Sequence, residues 1–131
     1  MPATSPEEIC LLFQKYMAGG DLESILSVYD PDAVFLNQSR DVTKTREDLR
    51  RELAPLVARK ARFDFTIKQI VQADDIALMH TAWTVSGPQP MKVHAIEVAR
   101  RQPDGTWRWL IGDPFTVGRE ASTRDAGTPA G

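Results

Sequence analysis

Glu97 is the residue in this chain most suggestive of chemistry. It stands among Val93, Ala95, Ile96, Val98 and Ala99, so a carboxylate is placed where its charged form is poorly solvated. A carboxyl with its pKa raised in this way can donate a hydrogen bond or act as general acid or base. The alternative is an exposed strand glutamate paired across the sheet with an arginine such as Arg108. His80, between Leu78 and Ala82, is a second candidate, because an imidazole pKa of ~6.5 suits a proton carrier. A lone strand histidine is more often a satisfied structural group. His94 has the opposite parity to Glu97, which argues against a metal site shared by the two. Asn37 could orient a ligand carbonyl or a water, and equally could finish a strand by bonding its own backbone. Trp83, Trp107 and Trp109 fall at inward or interface spacing, which bulk burial alone explains. Cys10 lies among helical apolar residues and reads as packing. No metal-ligand spacing, phosphate loop, nucleophile elbow or dinucleotide fingerprint is present.

The elements that must position these groups follow from capping and periodicity. Ser5-Pro6-Glu7-Glu8 opens a first helix with a capping residue, a first-turn proline and the acid of a capping box. Ile9, Leu12, Phe13, Tyr16 and Met17 form its apolar face, and Gly19-Gly20 ends it. Asp21 caps a short second helix with Leu22, Ile25, Leu26 and Tyr29 on one face. Asp30-Pro31-Asp32 then turns the chain into a strand over Ala33 to Asn37. After a polar loop from Gln38 to Lys44, Thr45 caps a third helix carrying Leu49, Leu53, Leu56 and Val57, with a kink expected at Pro55.

Four long strands complete the pattern. Phe63, Phe65, Ile67, Gln69 and Val71 alternate as a half-buried strand, and Asp74-Asp75 makes the turn. Ile76 to Ser86 is largely apolar on both sides and needs cover twice. Gly87-Pro88-Gln89-Pro90 leads into a hairpin of Met91 to Gln102 and Thr106 to Phe115, turned by Asp104-Gly105. The order predicts an α+β domain with helices on one face of an antiparallel, strongly twisted sheet, and a small apolar pocket between them. The other face is most simply covered by a homodimer.

The 131 residues suit one domain, expected over residues 1–117, with a Gly, Ser, Thr and Pro-rich tail over 118–131 expected to be disordered. A net charge of -2 offers no broad attraction for nucleic acid or an anionic membrane. Arg50, Arg51, Arg59, Lys60 and Arg62 read as a solvated helix face. No apolar run approaches the roughly 20 residues of a membrane span, nothing resembles a signal peptide, and a single cysteine fits a reducing cytoplasm.

The element order, with Gly20-Asp21-Leu22-Glu23, Tyr29-Asp30-Pro31-Asp32-Ala33-Val34 and Asp104-Gly105-Thr106-Trp107, resembles the nuclear transport factor 2-like superfamily. Within it the chain resembles SnoaL-like and ketosteroid isomerase-like proteins, including a group labelled SgcJ/EcaC oxidoreductase-like. The resemblance spans roughly residues 5–115. It implies a cone-shaped sheet wrapped around three helices, a cystatin-like α+β roll. Ketosteroid isomerase, which is the standard case of opposed carboxyl pKa values, uses an aspartate base with a tyrosine and a protonated aspartic acid as oxyanion hole. The base ends the first strand eight positions after a tyrosine matching Tyr29, where this chain carries Asn37, a residue unable to take a proton. The protonated acid corresponds to Glu97. The oxyanion tyrosine falls at Phe13, with Tyr16 one turn away. The resemblance also turns His80 toward the pocket, and some SnoaL-like cyclases carry their base on the last strand, near Asp113.

These readings converge on a SnoaL-like enzyme moving protons on an apolar carbonyl compound without a cofactor. Glu97, His80 and Asp113 are its candidate catalytic groups, and Asn37, Tyr16, Tyr29, Phe13, Trp83 and Ala95 its candidate ligand contacts. The alternatives are a non-catalytic ligand-binding module and a dimerisation domain.

Overall fold

The structure, a computed structural model, describes residues 2–37, 39, 41–88 and 90–117; the expected tail over 118–131 lies outside the described residues. Helix α1 (Pro6–Gly19) begins where expected, with Ser5 Oγ accepting from the Glu8 amide at 3.4 Å. The Glu8 carboxylate reaches back to the Thr4 amide at 2.6 Å. Gly20 closes α1 at φ +70°, a conformation that costs glycine little. Asp21 caps α2 (Leu22–Leu26) through the Ser24 amide at 3.1 Å.

Tyr29, expected on the face of that second helix, instead begins strand β1 (Tyr29–Leu36). The short β2 (Val42–Thr43) arises inside the expected polar loop and pairs antiparallel with β1. Thr45 caps α3 (Arg46–Ala58), which runs on past Pro55 and buries Leu49, Leu53 and Val57.

Four long strands follow: β3 (Phe63–Ala73), β4 (Ile76–Val85), β5 (Met91–Arg101) and β6 (Trp107–Asp113). The six strands form one sheet in the order β2-β1-β6-β5-β4-β3. From β3 to β6 the pairing is antiparallel, as expected, but β1 lies parallel to β6. A parallel neighbour needs a long crossover, and here the chain from α3 through β5 supplies it. The β5–β6 turn closes with the Gln102 amide donating to the Thr106 carbonyl at 2.6 Å and Gly105 at φ +87°.

Three helices thus pack on one face of a twisted sheet, and the core lies between. Ile9, Cys10, Phe13 and Met17 of α1 meet Ala77, Met79, Trp83, Ala95, Ala99 and Trp109 from the sheet. Bulges set which side chains join that core. At Lys68 the register of β3 against β4 shifts, so Ile67 lies opposite Thr81 but Gln69 lies opposite His80. The alternation expected across Gln69 and Val71 therefore breaks, and Ile70 takes the inner position in their place. The outer face carries an apolar row in which Val71, Leu78 and Ile111 are exposed and Val98 is half-buried: Val71 lies opposite Leu78, Leu78 opposite Val98, and Val98 opposite Ile111.

Candidate active site

Strand alternation puts Val93, Ala95, Glu97 and Ala99 of β5 on the helix-facing side, and all but half-buried Val93 are closed to solvent. Glu97 lies opposite Met79 on β4 and Gly112 on β6, neither of which carries a side-chain donor. A Cβ at Gly112 would come within 3.2 Å of the Phe35 ring. The missing side chain is what lets that ring settle over the strand beside Glu97. The Arg108 pairing considered from sequence does not occur, because Arg108 lies opposite Arg100.

The carboxyl borders a cavity of about 120 Å³ whose walls include Phe13, Tyr29, Phe35, Trp83, Trp109 and Phe115. Glu97 is 7% exposed, and its Oε1 has no hydrogen-bond partner among the described residues. Burial pushes its pKa from the ordinary carboxylate value up to about 7, against weaker opposing pulls from the Thr81 hydroxyl and the Trp83 indole. Those two groups act as nearby dipoles. Neither closes a hydrogen bond to Oε1, and Thr81 Oγ1 is itself unpartnered among the described residues. Burial, and after it the Glu97 charge, raise the Tyr29 phenol and the Cys10 thiol, so both stay protonated at neutral pH. The Trp109 indole N–H is a further buried donor without a partner among the described residues.

Phe13 braces the walls, with ring centroids 5.2 Å from Phe63 and 5.4 Å from both Trp83 and Trp109. Of the nine candidate catalytic and ligand-contact residues, the cavity gathers Glu97, Phe13, Tyr29 and Trp83. The other five lie elsewhere. His80 is exposed on the outer face, because Met79 and Thr81 on either side of it point inward. Asp113 shares the outer register of Ile96, and its Oδ1 accepts from the Phe115 and Thr116 amides at 3.2 and 3.0 Å, ending β6. Asn37 clamps its own loop, accepting from the Asp41 amide at 2.9 Å and donating to Glu52 Oε1 at 3.3 Å. Tyr16 borders a separate hollow with Leu12, Val28 and Trp107. Ala95 is buried beside Glu97, opposite Thr81, without reaching the cavity.

Sequence reasoning missed Phe35, Leu53, Leu56 and Phe115 as walls and Thr81 as a buried hydroxyl. Thr81 was legible in principle, as the one polar residue in an inward set of Ala77, Met79, Trp83 and Val85. Among the described residues no cluster of three or more His, Cys, Asp or Glu could hold a metal ion, and no helix is long and apolar enough to cross a membrane.

A family model described as the SnoaL-like domain matches residues 12–110. No curated protein matches the chain. Similar solved structures include a domain from Thiobacillus denitrificans provisionally named as a calcium/calmodulin-dependent protein kinase type II association domain. It is 15% identical with a TM-score of 0.74, over 88% of this chain and 99% of that one. A domain of unknown function with a cystatin-like fold from Nostoc punctiforme is 13% identical at 0.68, over 94% of this chain and 83% of that one. A protein from Parabacteroides distasonis provisionally named as a ketosteroid isomerase is 22% identical at 0.63, over 82% and 83%. At these identities the likenesses speak for the fold alone. With the family match covering most of the cone, the chain belongs to the SnoaL-like domain family, within the nuclear transport factor 2-like superfamily.

Proposed function

We propose that this protein is a cofactor-independent enzyme that moves a proton on a small, apolar carbonyl compound, with Glu97 as the group that exchanges it. The observation that carries this reading is a buried, incompletely hydrogen-bonded carboxyl bordering an aromatic cavity, with a pKa near 7. At that pKa the acid and base forms coexist at neutral pH, where a general acid–base catalyst works best. In its base form Glu97 would take a proton from the carbon beside the carbonyl, and in its acid form return it there or at a conjugated carbon. Tyr29, kept protonated, is the candidate donor to the oxygen on which charge develops. His80 and Asp113 have no part in this scheme.

The test is incorporation of deuterium into cyclohexanone in D2O, followed by NMR. Incorporation should rise with pH through an inflection near 7 and disappear in Glu97→Gln. Equal rates in the variant would sink the proton-transfer reading and leave a ligand-binding module. That second reading is favoured by Asn37, since the position matched to the family's base holds no ionisable group.

The exposed row of Val71, Leu78 and Ile111 supports a homodimer through the outer face of the sheet. Sedimentation equilibrium should find a dimer in the wild type and a monomer in Leu78→Lys; a monomeric wild type ends the proposal. The single buried thiol suits a reducing cytoplasm, and fractionation that recovers the protein elsewhere would contradict that location.

A further inference from the structure

The cavity is small for a ligand site. An engineered protein cavity of about 150 Å³ takes up benzene, and this one measures about 120 Å³. It is open on one side, near half-buried Val93 and exposed Met91, so one ring comes close to filling its interior and a larger compound would reach out into solvent. The walls are poorly placed to retreat, because Phe13, Phe63, Trp83 and Trp109 brace one another through edge-on and tilted contacts at 5.2 to 6.2 Å. Among the described residues no lysine, arginine or histidine borders the cavity. An anionic ligand would therefore bring a second negative charge beside Glu97 with no cation to offset it.

We propose that the site selects uncharged one-ring compounds carrying a single oxygen, with ring size limited by the braced aromatic walls and the oxygen directed to Glu97. This rests on the proton-transfer site proposed above and narrows its substrate class. Fused two-ring and four-ring ketones would leave their further rings outside the cavity and so gain less from it, and ring compounds bearing a carboxylate or phosphate are disfavoured by charge. Val93, half-buried on the wall two inward positions from Glu97 and opposite Trp83, is a position where the limit can be relaxed without emptying the core.

The experiment is a titration of ¹⁵N-labelled protein with cyclohex-2-enone, 1-decalone, progesterone and benzoate, following the indole N–H signals of Trp83 and Trp109. The enone should bind at least about tenfold more tightly than decalone, a difference of one decade in Kd. Progesterone and benzoate should leave both signals unmoved. In Val93→Ala, which removes two methyl groups from the wall, decalone should close most of that gap. Decalone or progesterone binding as tightly as the enone in the wild type overturns the size class, as does no shift with any of the four or an unchanged ratio in the variant. Tight benzoate binding overturns the charge class. These outcomes are separable from failure of the underlying site. If Glu97 titrates as an ordinary carboxylate while the enone is still preferred, proton transfer falls and the size class stands; a Glu97 near 7 with progesterone preferred does the reverse.

Discussion

Asp30 and Glu97 are both shut away from water, at 3% and 7% exposure, and the chain treats them in opposite ways. Asp30 accepts from Arg100 Nε at 3.0 Å and from a terminal guanidinium nitrogen at 2.8 Å. It also accepts from Gln102 at 2.8 Å and from the Asp32 amide at 2.8 Å. Burial alone would raise its pKa, but those hydrogen bonds, with the Arg100 charge, outweigh it and hold the carboxyl below the ordinary range. Among the described residues Glu97 has no cation and no partner at Oε1, so burial wins and the proton stays on to about pH 7. The donors present, more than depth, decide whether a buried carboxyl is structural or reactive. Asp30 ties β1 to the β5 end of the sheet; Glu97 is left free to exchange a proton.

That contrast has opposite consequences for stability. Glu97 holds its proton to about pH 7 when folded and releases it near 4.5 when unfolded. Between those values the folded state binds more protons, so stability falls as pH rises. The loss is about 3 kcal/mol, complete above pH 7. Chemical denaturation across this window should show the decline in the wild type and a flat profile in Glu97→Gln; matching profiles would remove the distinction between the two carboxyls. Asp30 runs the other way. Its folded pKa is depressed, so its contribution is present above the unfolded value and lost only as pH falls through the folded one.

Asp30→Asn should cost about 2 kcal/mol at neutral pH. That is less than the loss of a fully buried ion pair, because the Arg100 side chain is 38% exposed and water can solvate it once stranded. A shift in urea midpoint measures this, and a loss below about 0.5 kcal/mol would class Asp30 with ordinary surface pairs. The smallest effect is expected at His80. His80→Ala, altering the opposite face, should leave deuterium exchange within about twofold of wild type, and a large loss would return His80 to the site.

Much of this fold was legible because its local signals agree. Ser5, Asp21 and Thr45 cap the helices assigned to them, and Asp104-Gly105 turns the hairpin. The buried position of Glu97 followed from its apolar neighbours on β5. Parity on β4 was harder to read, because Ile76 and Leu78 make the outer set as apolar as the inner one while Thr81 makes the inner set partly polar. Hydrophobicity could not say which side His80 faces, and the family resemblance turned it the wrong way. The bulge at Lys68 was also hidden, since Gln69 and Val71 continue the alternation in sequence after the backbone has stepped past it. Tyr16 shares the apolar face of α1 with Phe13, yet the two side chains border different hollows. Helical spacing names a face without saying which gap in the core each member adjoins.

The most direct measurement is the titration of the Glu97 carboxyl carbon by ¹³C NMR, assigned through Glu97→Gln. A midpoint near pH 7, several times farther from the ordinary carboxylate value than a surface glutamate would lie, is the result expected of a buried proton exchanger. A midpoint near 4.5 would mean that water or an unseen donor satisfies the carboxylate, and Glu97 would then be a second Asp30.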